Sequence, residues 1–393
     1  MARIVFFCIP AHGHTNPTLG VVKELTARGH EVLYYSYEPF RKKIEAAGAK
    51  FFGCDTFDAE LHLTKEEATR LGSDLKLSTR VLVDTTLALD EMVCREMEQW
   101  KPDCIVADSM AVWGKAVAGK LGIPFVSSTT TFAFNQHSAK IMKQSFRELI
   151  SLLLAMPKIR KDVKRLQDKD YPVKNILEII SNDDATDTIV YTSAEFQPCS
   201  ETFSDKFAFV GPIIRPTEQI VEKKRDKLIY ISMGTVNNDM LPLYRSCIRA
   251  LGETGHQVIL SVGDQVDCSA FGELPETVEV YPSVDQIAVL QQTDVFLTHC
   301  GMNSVSEALY YGVPLLMLPK TKEQEGVAER VRSLGAGILL GDPSEEVIAA
   351  SVNALLTNSS YGQIAAGIAA GFRRCGGAKA AADKIESCCS RKP

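Results

Sequence analysis

The stretch VFLTHCGMNSVSEALYYGVPLLMLP, residues 295–319, places a histidine and a glycine between an apolar run and a helical pattern. Val295–Thr298 is predicted to be a buried parallel strand, so His299 would stand at its carboxyl end, the edge where open α/β sheets bind ligands. A helix is predicted to begin at Ser304, and backbone amides in the first turn of a helix have no partners within it. Gly301 lets a ligand approach the backbone without meeting a Cβ atom. This combination predicts an anion site, and phosphate is the common occupant.

More polar side chains follow predicted strands at the same edge. Glu307 lies one turn into the helix, where its carboxylate can accept a hydrogen bond from a ribose hydroxyl. Glu323 and Gln324 come after the strand in VPLLMLP and suit bidentate hydrogen bonding to sugar hydroxyls. Gly234 and Thr235 end the strand in YISMGT with a small turn. Residues at the ends of three strands could thus contact a phosphate, a ribose and a sugar, and a nucleotide-sugar contains all three groups.

A plainer interpretation of the same turn stays open at this point. Asn303 or Ser304 could serve only as the N-cap of the helix, a position that both residue types favour. His299 could be a hydrogen-bonded residue at the end of a strand, with no ligand.

Two histidines follow the first predicted strand, in IPAHGHTNP. Gly13 and Pro17 mark a loop at the carboxyl edge of the sheet, and imidazole changes charge near neutral pH, so His12 and His14 are candidate general bases. Spacing places no third ligand for a metal beside them. Asp108 ends the strand in DCIVAD at the same edge, where it either caps the next helix or orients His14 and stabilises the imidazolium.

These residues depend on a repeated alternation of strands and helices. Helices that close on glycine before the next apolar strand are typical of parallel sheets with helices on both faces. The segment Phe209–Lys227, with two prolines and a run of charges, separates two such halves. We predict an α/β chain of two Rossmann-like domains, 1–210 and 211–375, facing across a cleft that holds the active site. Charged segments at 57–92 and 136–182 are predicted to be helical insertions that wall a pocket, the alternative being a basic surface for an anionic partner.

Composition excludes several classes of protein. The 393 residues carry a net charge of -6, with 45% hydrophobic and 23% charged residues, which is unlike a protein that binds nucleic acid or an anionic membrane through a basic surface. No apolar run reaches the length of a membrane span, and the N-terminal run Ile4–Pro10 is too short for a signal peptide. The eleven cysteines form no C-x-x-C pair, so we expect reduced thiols in a soluble, cytoplasmic protein.

These motifs together resemble those of a known family. VFLTHCGMNSVSEALYYGVPLLMLPKTKEQ closely resembles the donor-binding signature of the UDP-glycosyltransferases, particularly the bacterial macrolide-type glycosyltransferases of the GT-B fold. PAHGHTNPTLGVVKELTARGHEV, YISMGT, VDQIAVLQQTDVFLTH and GGAKAAADKIE are similar to other parts of that family. The resemblance spans nearly the whole chain and is weakest in the two insertions. It implies that a closing helix within 376–393 packs back on the first domain.

The resemblance implies an inverting transfer of a sugar, glucose in first place, from a UDP-sugar to a hydroxyl of a hydrophobic small molecule such as a macrolide, flavonoid, sterol or other phenolic. His14 would be the general base and Asp108 its orienting carboxylate. For the diphosphate, the resemblance implies His299, Thr235 and the amides of Asn303 and Ser304. It implies Glu307 for the ribose, and Gln286 with the Val284 backbone for the base. Glu323 and Gln324 would bind the sugar, and the glycines Gly13, Gly234 and Gly301 lie around these residues.

The same resemblance implies no metal and no cofactor besides the UDP-sugar co-substrate. The expected partners are that donor and a lipophilic acceptor, with no nucleic acid or membrane, and the expected state is a monomer or weak dimer. Phe57, Phe132 and Phe134 lie on or near loops that could line the acceptor pocket, although they could equally belong to the core.

Two positions depart from the family pattern. An aromatic residue that stacks on the uracil, followed by Val-Pro-Gln, is usual, whereas this chain has Ser283 followed by Val-Asp-Gln. Loss of such stacking weakens binding by roughly 1–3 kcal/mol unless Tyr281 substitutes for it. Glu323 stands where aspartate is commoner, which leaves the preferred sugar open.

Three other functions remain alternatives on the sequence. A UDP-sugar epimerase shares the two-domain architecture and needs no acceptor. A dinucleotide-dependent oxidoreductase is disfavoured because the first loop lacks G-x-G-x-x-G. A non-catalytic nucleotide-sugar-binding protein would not need both His14 and Asp108 at strand ends.

Overall fold

The computed structural model describes residues 1–55, 64, 74–135, 137–138, 146–175, 178, 182, 184–235 and 238–391. Packing divides the chain into two compact units, one of Met1–Ile213 with Gly376–Pro393 and one of Ile214–Cys375. Each unit contains one parallel sheet connected by helices, so the predicted α/β class is confirmed. Phe57, considered above for the acceptor pocket, lies outside the described residues.

Seven parallel strands form the sheet of the first unit. They are β1 Arg3–Phe7, β2 Glu31–Ser36, β3 Lys50–Gly53, β4 Cys104–Asp108, β5 Phe125–Thr129, β6 Asp187–Val190 and β7 Phe207–Phe209. Their order is β3-β2-β1-β4-β5-β6-β7, so the direction of winding reverses between β1 and β4. All five residues of β4 are buried, as expected for a parallel strand covered on both faces. In doubly wound sheets a crevice opens at the carboxyl ends of the two strands where winding reverses.

Six described α-helices complete this unit. They are α1 His12–Ala27, α2 Arg41–Ala46, α3 Leu75–Trp100, α4 Val112–Leu121, α5 Phe146–Gln167 and, after the second unit, α12 Gly377–Cys389. The long helices α3 and α5 lie in the two charged segments and pack against each other. Helix α12 packs on α1 and the sheet through the buried Ala381, Ala382 and Ile385. Arg28, the C-cap residue of α1, donates to Glu386 of α12 at 2.8 Å.

Six parallel strands form the sheet of the second unit. They are β8 Leu228–Ser232, β9 Gln257–Ser261, β10 Val278–Tyr281, β11 Val295–Thr298, β12 Leu315–Met317 and β13 Gly337–Leu339. The order β10-β9-β8-β11-β12-β13 reverses between β8 and β11. The helices are α6 Leu241–Leu251, α7 Gln286–Leu290, α8 Met302–Tyr310, α9 Lys322–Leu334, α10 Glu345–Thr357 and α11 Ser359–Arg374. The core below the sheet contains Ile229, Ile231, Leu297 and Leu316, all fully buried.

Two helices begin earlier than the sequence pattern predicts. Helix α1 starts at His12, so the histidine segment is helical and not a loop; Pro17 inside it removes only one helical N–H donor. Helix α8 starts at Met302 with Gly301 as its N-cap and no capping side chain. The prediction that it begins at Ser304, and the alternative that Asn303 or Ser304 is its N-cap, are therefore wrong, because the backbone turns into the helix at the glycine.

Candidate active site

Winding in the first unit reverses between the two strands that carry the predicted base and its carboxylate. β1 and β4 pair in parallel, with Phe7 opposite Ala107. Asp108 is the last residue of β4, and His14 lies in the first turn of α1, which follows β1. Their side chains meet, with 2.7 Å between His14 Nδ1 and Asp108 Oδ2.

The hydrogen bonds of Asp108 indicate which nitrogen of His14 is the donor. The Asp108 side chain has 0% exposed surface, whereas that of His14 is 20% exposed. A buried carboxylate requires donors, and the second oxygen, Oδ1, accepts from the Met110 amide at 2.8 Å. His14 Nδ1 therefore carries the proton that it donates to Asp108. The neutral ring then keeps a lone pair on Nε2, the tautomer that a general base needs.

The interpretation of Asp108 as the cap of the next helix is wrong, although its carboxylate does bind the turn ahead of that helix. One carboxylate oxygen binds His14, and the other holds the turn ahead of α4 through Met110. The helix α4 itself has Ala111 as its N-cap with no side-chain hydrogen bond. Asp108 thus fixes a turn but does not cap the helix.

Thr130 is a third member of this cluster, and the sequence reasoning missed it. It follows β5, the neighbour of β4, and its buried Oγ1 lies 3.0 Å from His14 Nδ1. With Nδ1–H directed at Asp108, the hydroxyl oxygen is a second acceptor for the same proton. The run of polar residues that ends β5, SSTTT, was the available indication, but only strand order shows that it lies next to Asp108.

His12 has a different environment from His14. Its ring packs against Phe40 with 5.0 Å between centroids and is exposed. Partial burial, followed by the positive charge of Lys43, lowers the pKa of His12. Of the two candidate bases, His14 is the one that contacts a buried carboxylate.

The second unit places His299 directly after β11, at the point where the order of strands reverses. Thr298 is opposite Ser232 of β8, and Gly234 follows β8. A Cβ atom added at Gly234 would lie 2.5 Å from His299 Cε1, and one added at Gly301 would lie 2.7 Å from Nε2. Gly234 also has φ +81°, a backbone conformation that favours glycine. The edge of the His299 ring that bears Nε2 therefore packs against the backbone of Gly234 and Gly301, where any larger residue would clash with it.

Burial controls the charge of His299. It lowers the pKa of His299 to about 4, and a hydrogen bond with the Ser232 carbonyl opposes this only partly. Nδ1 is buried and has no partner of ordinary hydrogen-bond geometry among the described residues. At neutral pH the ring is uncharged and has one N–H, so donation from Nε2 to an anion requires the tautomer in which the bond to the Ser232 carbonyl is given up.

The turn between β11 and α8 provides further donors. The first helical hydrogen bond of α8 runs from the Val305 amide to the Gly301 carbonyl at 3.0 Å, so the amides of Asn303 and Ser304 lie ahead of it, at the positive end of the helix. Cys300 has φ +69°, which is uncommon for a residue with a side chain and is typical of backbone held at a functional turn.

Gln286, Ser304 and Glu307 form one polar cluster. Gln286 Nε2 donates to Glu307 Oε2 at 2.5 Å and to Ser304 Oγ at 3.4 Å. Burial raises the pKa of Glu307, and the hydrogen bond from Gln286 acts in the opposite direction. Gln286 is the first residue of α7, directly after the half-buried Val284 and the N-cap Asp285. The structure thus brings together residues that the sequence assigned to the base and to the ribose.

Gln324 is partly used by the backbone. Thr321 is the N-cap of α9, and Gln324 Oε1 accepts from the Lys320 amide at 2.8 Å, an arrangement close to a capping box. The Nε2 amino group of Gln324 can donate a hydrogen bond to a sugar hydroxyl. Glu323 and Thr235 are exposed after β12 and β8, while Gly13 is exposed in the first turn of α1.

Tyr281, the alternative residue for base stacking, has its hydroxyl engaged, and its ring is exposed. Its hydroxyl donates to Glu279 Oε2 at 2.8 Å, and Ser283 is exposed. Among the described residues no three His, Cys, Asp or Glu side chains converge as metal ligands. In the same part of the chain, every helix is too short or too polar to cross a lipid bilayer.

Two doubly wound parallel sheets, each with polar residues where its winding reverses, are the architecture of the GT-B fold, and solved glycosyltransferase structures match it over nearly the whole chain. The crystal structure of the kitacinnamycin glycotransferase aligns over 98% of both chains with a TM-score of 0.84 and 26% identity. The calicheamicin glycosyltransferase CalG4 aligns over 100% of this chain and 99% of its own with a TM-score of 0.82 and 28% identity.

Sequence comparison gives the family. The family model for the C-terminal domain of erythromycin biosynthesis protein CIII-like proteins matches residues 245–373. The uncharacterized UDP-glucosyltransferase YojK of Bacillus subtilis is 30% identical, with 98% of this chain and 97% of that protein covered. Demethyllactenocin mycarosyltransferase of Streptomyces fradiae is 32% identical over 98% of this chain and 86% of its own. The chain belongs to the bacterial macrolide-type UDP-glycosyltransferases, which confirms the resemblance inferred from sequence.

Proposed function

We propose that this glycosyltransferase moves glucose from UDP-glucose to a hydroxyl group of a hydrophobic small molecule, with inversion at the anomeric carbon. The observation that carries the chemistry is the contact of 2.7 Å between His14 and a fully buried Asp108. It directs the Nδ1 proton toward the carboxylate and leaves Nε2 as the base.

The proposed reaction is a single displacement. His14 Nε2 takes the proton of the acceptor hydroxyl as the oxygen forms a bond to the anomeric carbon. The bond from that carbon to the diphosphate breaks, and UDP leaves with the electron pair. Asp108 stabilises the imidazolium formed at His14, a role that such a carboxylate has in catalytic triads.

The leaving diphosphate is proposed to lie at His299 and at the start of α8. His299 donates one N–H, and the amides of Asn303 and Ser304 add donors at the positive end of the helix. Glu307 and Gln286 are proposed to hold the nucleoside, with the Val284 backbone, and Glu323 and Gln324 the transferred sugar. Thr235, Gly13, Gly234 and Gly301 complete the predicted donor residues.

Glucose is proposed because the relative YojK is named a UDP-glucosyltransferase. A relative of similar identity is named a mycarosyltransferase, so the sugar has to be established by experiment. The hydrophobic acceptor rests on the family, in which relatives are named for macrolides and other natural products.

The test is incubation of UDP-glucose with a panel of macrolides, flavonoids, sterols and phenols, followed by mass spectrometry. One added hexose on an acceptor supports the proposal. Conversion of UDP-glucose without acceptor would indicate an epimerase, and binding of UDP with no turnover would indicate a sensor.

The base is tested with His14→Ala, and His12→Ala is the matched comparison from the same helical turn. Loss of a general base costs about 10²- to 10⁴-fold in kcat. We expect that loss for His14→Ala, with the Kd of UDP unchanged, and a smaller effect for His12→Ala. Wild-type turnover by His14→Ala would reject the assignment.

A further inference from the structure

Asp285 holds the start of the second unit against the N-terminus of α7. Arg215 Nη1 donates to Asp285 Oδ2 at 3.0 Å, and Nη2 donates to Oδ1, so the pair is bidentate. Thr217 Oγ1 donates to the same carboxylate at 2.7 Å. Asp285 also accepts from the Ile287 and Ala288 amides as the N-cap of α7. The guanidinium is therefore fixed in place, although it lies on a flexible side chain.

This pairing leaves the face of the guanidinium available. The in-plane N–H groups bind the carboxylate, whose side chain is 10% exposed, while the Arg215 side chain is 54% exposed. A planar, weakly hydrated cation presents its face to aromatic rings, where stacking and cation–π attraction act together. In the described part of the chain the cations that lie over aromatic rings are Arg41, Lys50, Lys120 and Arg373, so the face of Arg215 is not covered in this way.

The guanidinium lies beside the nucleoside end of the proposed donor site. Gln286 follows Asp285 in the chain and donates to Glu307. Burial raises the pKa of Glu307, and the hydrogen bond from Gln286 lowers it. The positive charge of Arg215 also lowers this pKa, so Arg215 is close enough for its charge to act on Glu307. Burial raises the pKa of Asp285, but the hydrogen bond from Arg215 and the other hydrogen bonds to this carboxylate outweigh burial and lower the pKa. The pair is therefore ionised.

We propose that the Arg215 guanidinium, held flat by Asp285, stacks on the nucleobase of the sugar donor. It would supply the surface that Ser283 lacks. This inference rests on the proposed function, because it requires a nucleoside diphosphate-sugar beside Gln286 and Glu307. Stacking does not read the edge of a base, so Arg215 favours donors that carry a base over donors without one and does not select among pyrimidines.

The experiment is titration calorimetry with UDP and with ribose 5-diphosphate, which keeps the sugar and phosphates but has no base. Removal of one stacked base contact lowers affinity by about 5- to 150-fold. We expect Arg215→Ala to weaken UDP by that factor and to leave ribose 5-diphosphate unchanged. Arg225→Ala is the matched control, because Arg225 forms an exposed pair with Glu276 in the same unit; it should bind both ligands like the wild type.

Two further variants separate stacking from charge and from folding. Arg215→Lys keeps the charge and its cation–π attraction without the planar face, so it should bind UDP more weakly than the wild type and no more weakly than Arg215→Ala. Adding Ser283→Trp to Arg215→Ala should restore UDP affinity, which a merely structural role of Arg215 would not allow. These two variants decide the question even where ribose 5-diphosphate binds too weakly to measure.

The proposal is overturned if Arg215→Ala binds UDP like the wild type, if it loses both ligands equally, or if Arg215→Lys binds like the wild type. Failure of the proposed function gives different results: either the wild-type protein binds neither UDP nor UDP-glucose, or it binds UDP and transfers no sugar to any acceptor, a result that leaves the Arg215 titrations unaffected.

Discussion

The two glycines that contact the ring of His299 allow its role in donor binding to be tested without changing the histidine. A Cβ at Gly234 would lie 2.5 Å from His299 Cε1, and ordinary contacts of Cβ atoms begin at 3.4 Å, so the ring has to retreat by about 0.9 Å (3.4 − 2.5). At Gly301 the corresponding distance to Nε2 is 2.7 Å. A hydrogen bond of about 2.9 Å lengthened by this amount exceeds 3.5 Å and is lost.

The expected loss of affinity follows from that hydrogen bond. A bond to a charged group contributes about 1.5–3 kcal/mol, which corresponds to about 10- to 150-fold in the Kd of UDP. We expect a loss of this size for both Gly234→Ala and Gly301→Ala, measured by titration calorimetry at pH 8, where His299 is neutral in every variant.

Backbone strain is separated from the steric clash by a third glycine. Gly255 has φ +77° and no atom within 4 Å of an added Cβ, whereas Gly301 has φ -59° and a clash. Gly255→Ala should lower the free energy of unfolding by about 1–2 kcal/mol, as Gly234→Ala should, and leave UDP binding unchanged. If Gly301→Ala binds UDP like the wild type while remaining folded, His299 does not hold the diphosphate through Nε2 and the reasoning is wrong.

The dyad and the buried histidine give three further expectations. Asp108→Asn should lower kcat by about 10²- to 10⁴-fold at unchanged Kd for UDP, because the imidazolium loses its counter-charge. Thr130→Val should lower kcat by only about 2- to 12-fold, the contribution of one neutral hydrogen bond, in the same steady-state assay. The pKa of His299 falls from 6.5 to about 4 on folding, so its stabilising contribution is complete above pH 6.5 and is lost as pH falls toward 4. Urea unfolding should show about 2 kcal/mol less stability at pH 5 than at pH 8 from this group, and His299→Gln should remove that difference.

Much of the fold could be predicted because buried parallel strands are short apolar runs with clear ends. The segments Ile4–Phe7 and Val295–Leu297 are fully apolar and lie inside strands of the structure. Helix starts were predicted less well. No side chain caps α1 at Ala11, and the composition of HGHTNP is typical of a loop, so the first turn of α1 carried no sequence pattern.

The same physical difference explains which site residues could be found. His14, Asp108 and His299 each end or follow a strand, and strand ends can be located from local sequence. Thr130 and Arg215 could not be found in this way. Thr130 lies 116 residues from His14 along the chain, and Arg215 lies 70 residues from Asp285. Their roles depend on strand order and on a hydrogen bond that no local pattern encodes.

The two histidines show how one side chain acquires different chemistry from its surroundings. Both lie near the point where a parallel sheet reverses its winding, His14 in the first turn of the helix after β1 and His299 directly after β11. His14 is partly exposed and contacts a carboxylate, the partner that would stabilise an imidazolium in the proposed reaction. His299 has a buried Nδ1, and no carboxylate is among the groups that shift its pKa, so burial keeps it neutral. In the proposed reaction the neutral ring of His299 would donate to the diphosphate and would not compete for the proton of the acceptor. Proton removal and leaving-group binding can therefore rest on two histidines without either interfering with the other.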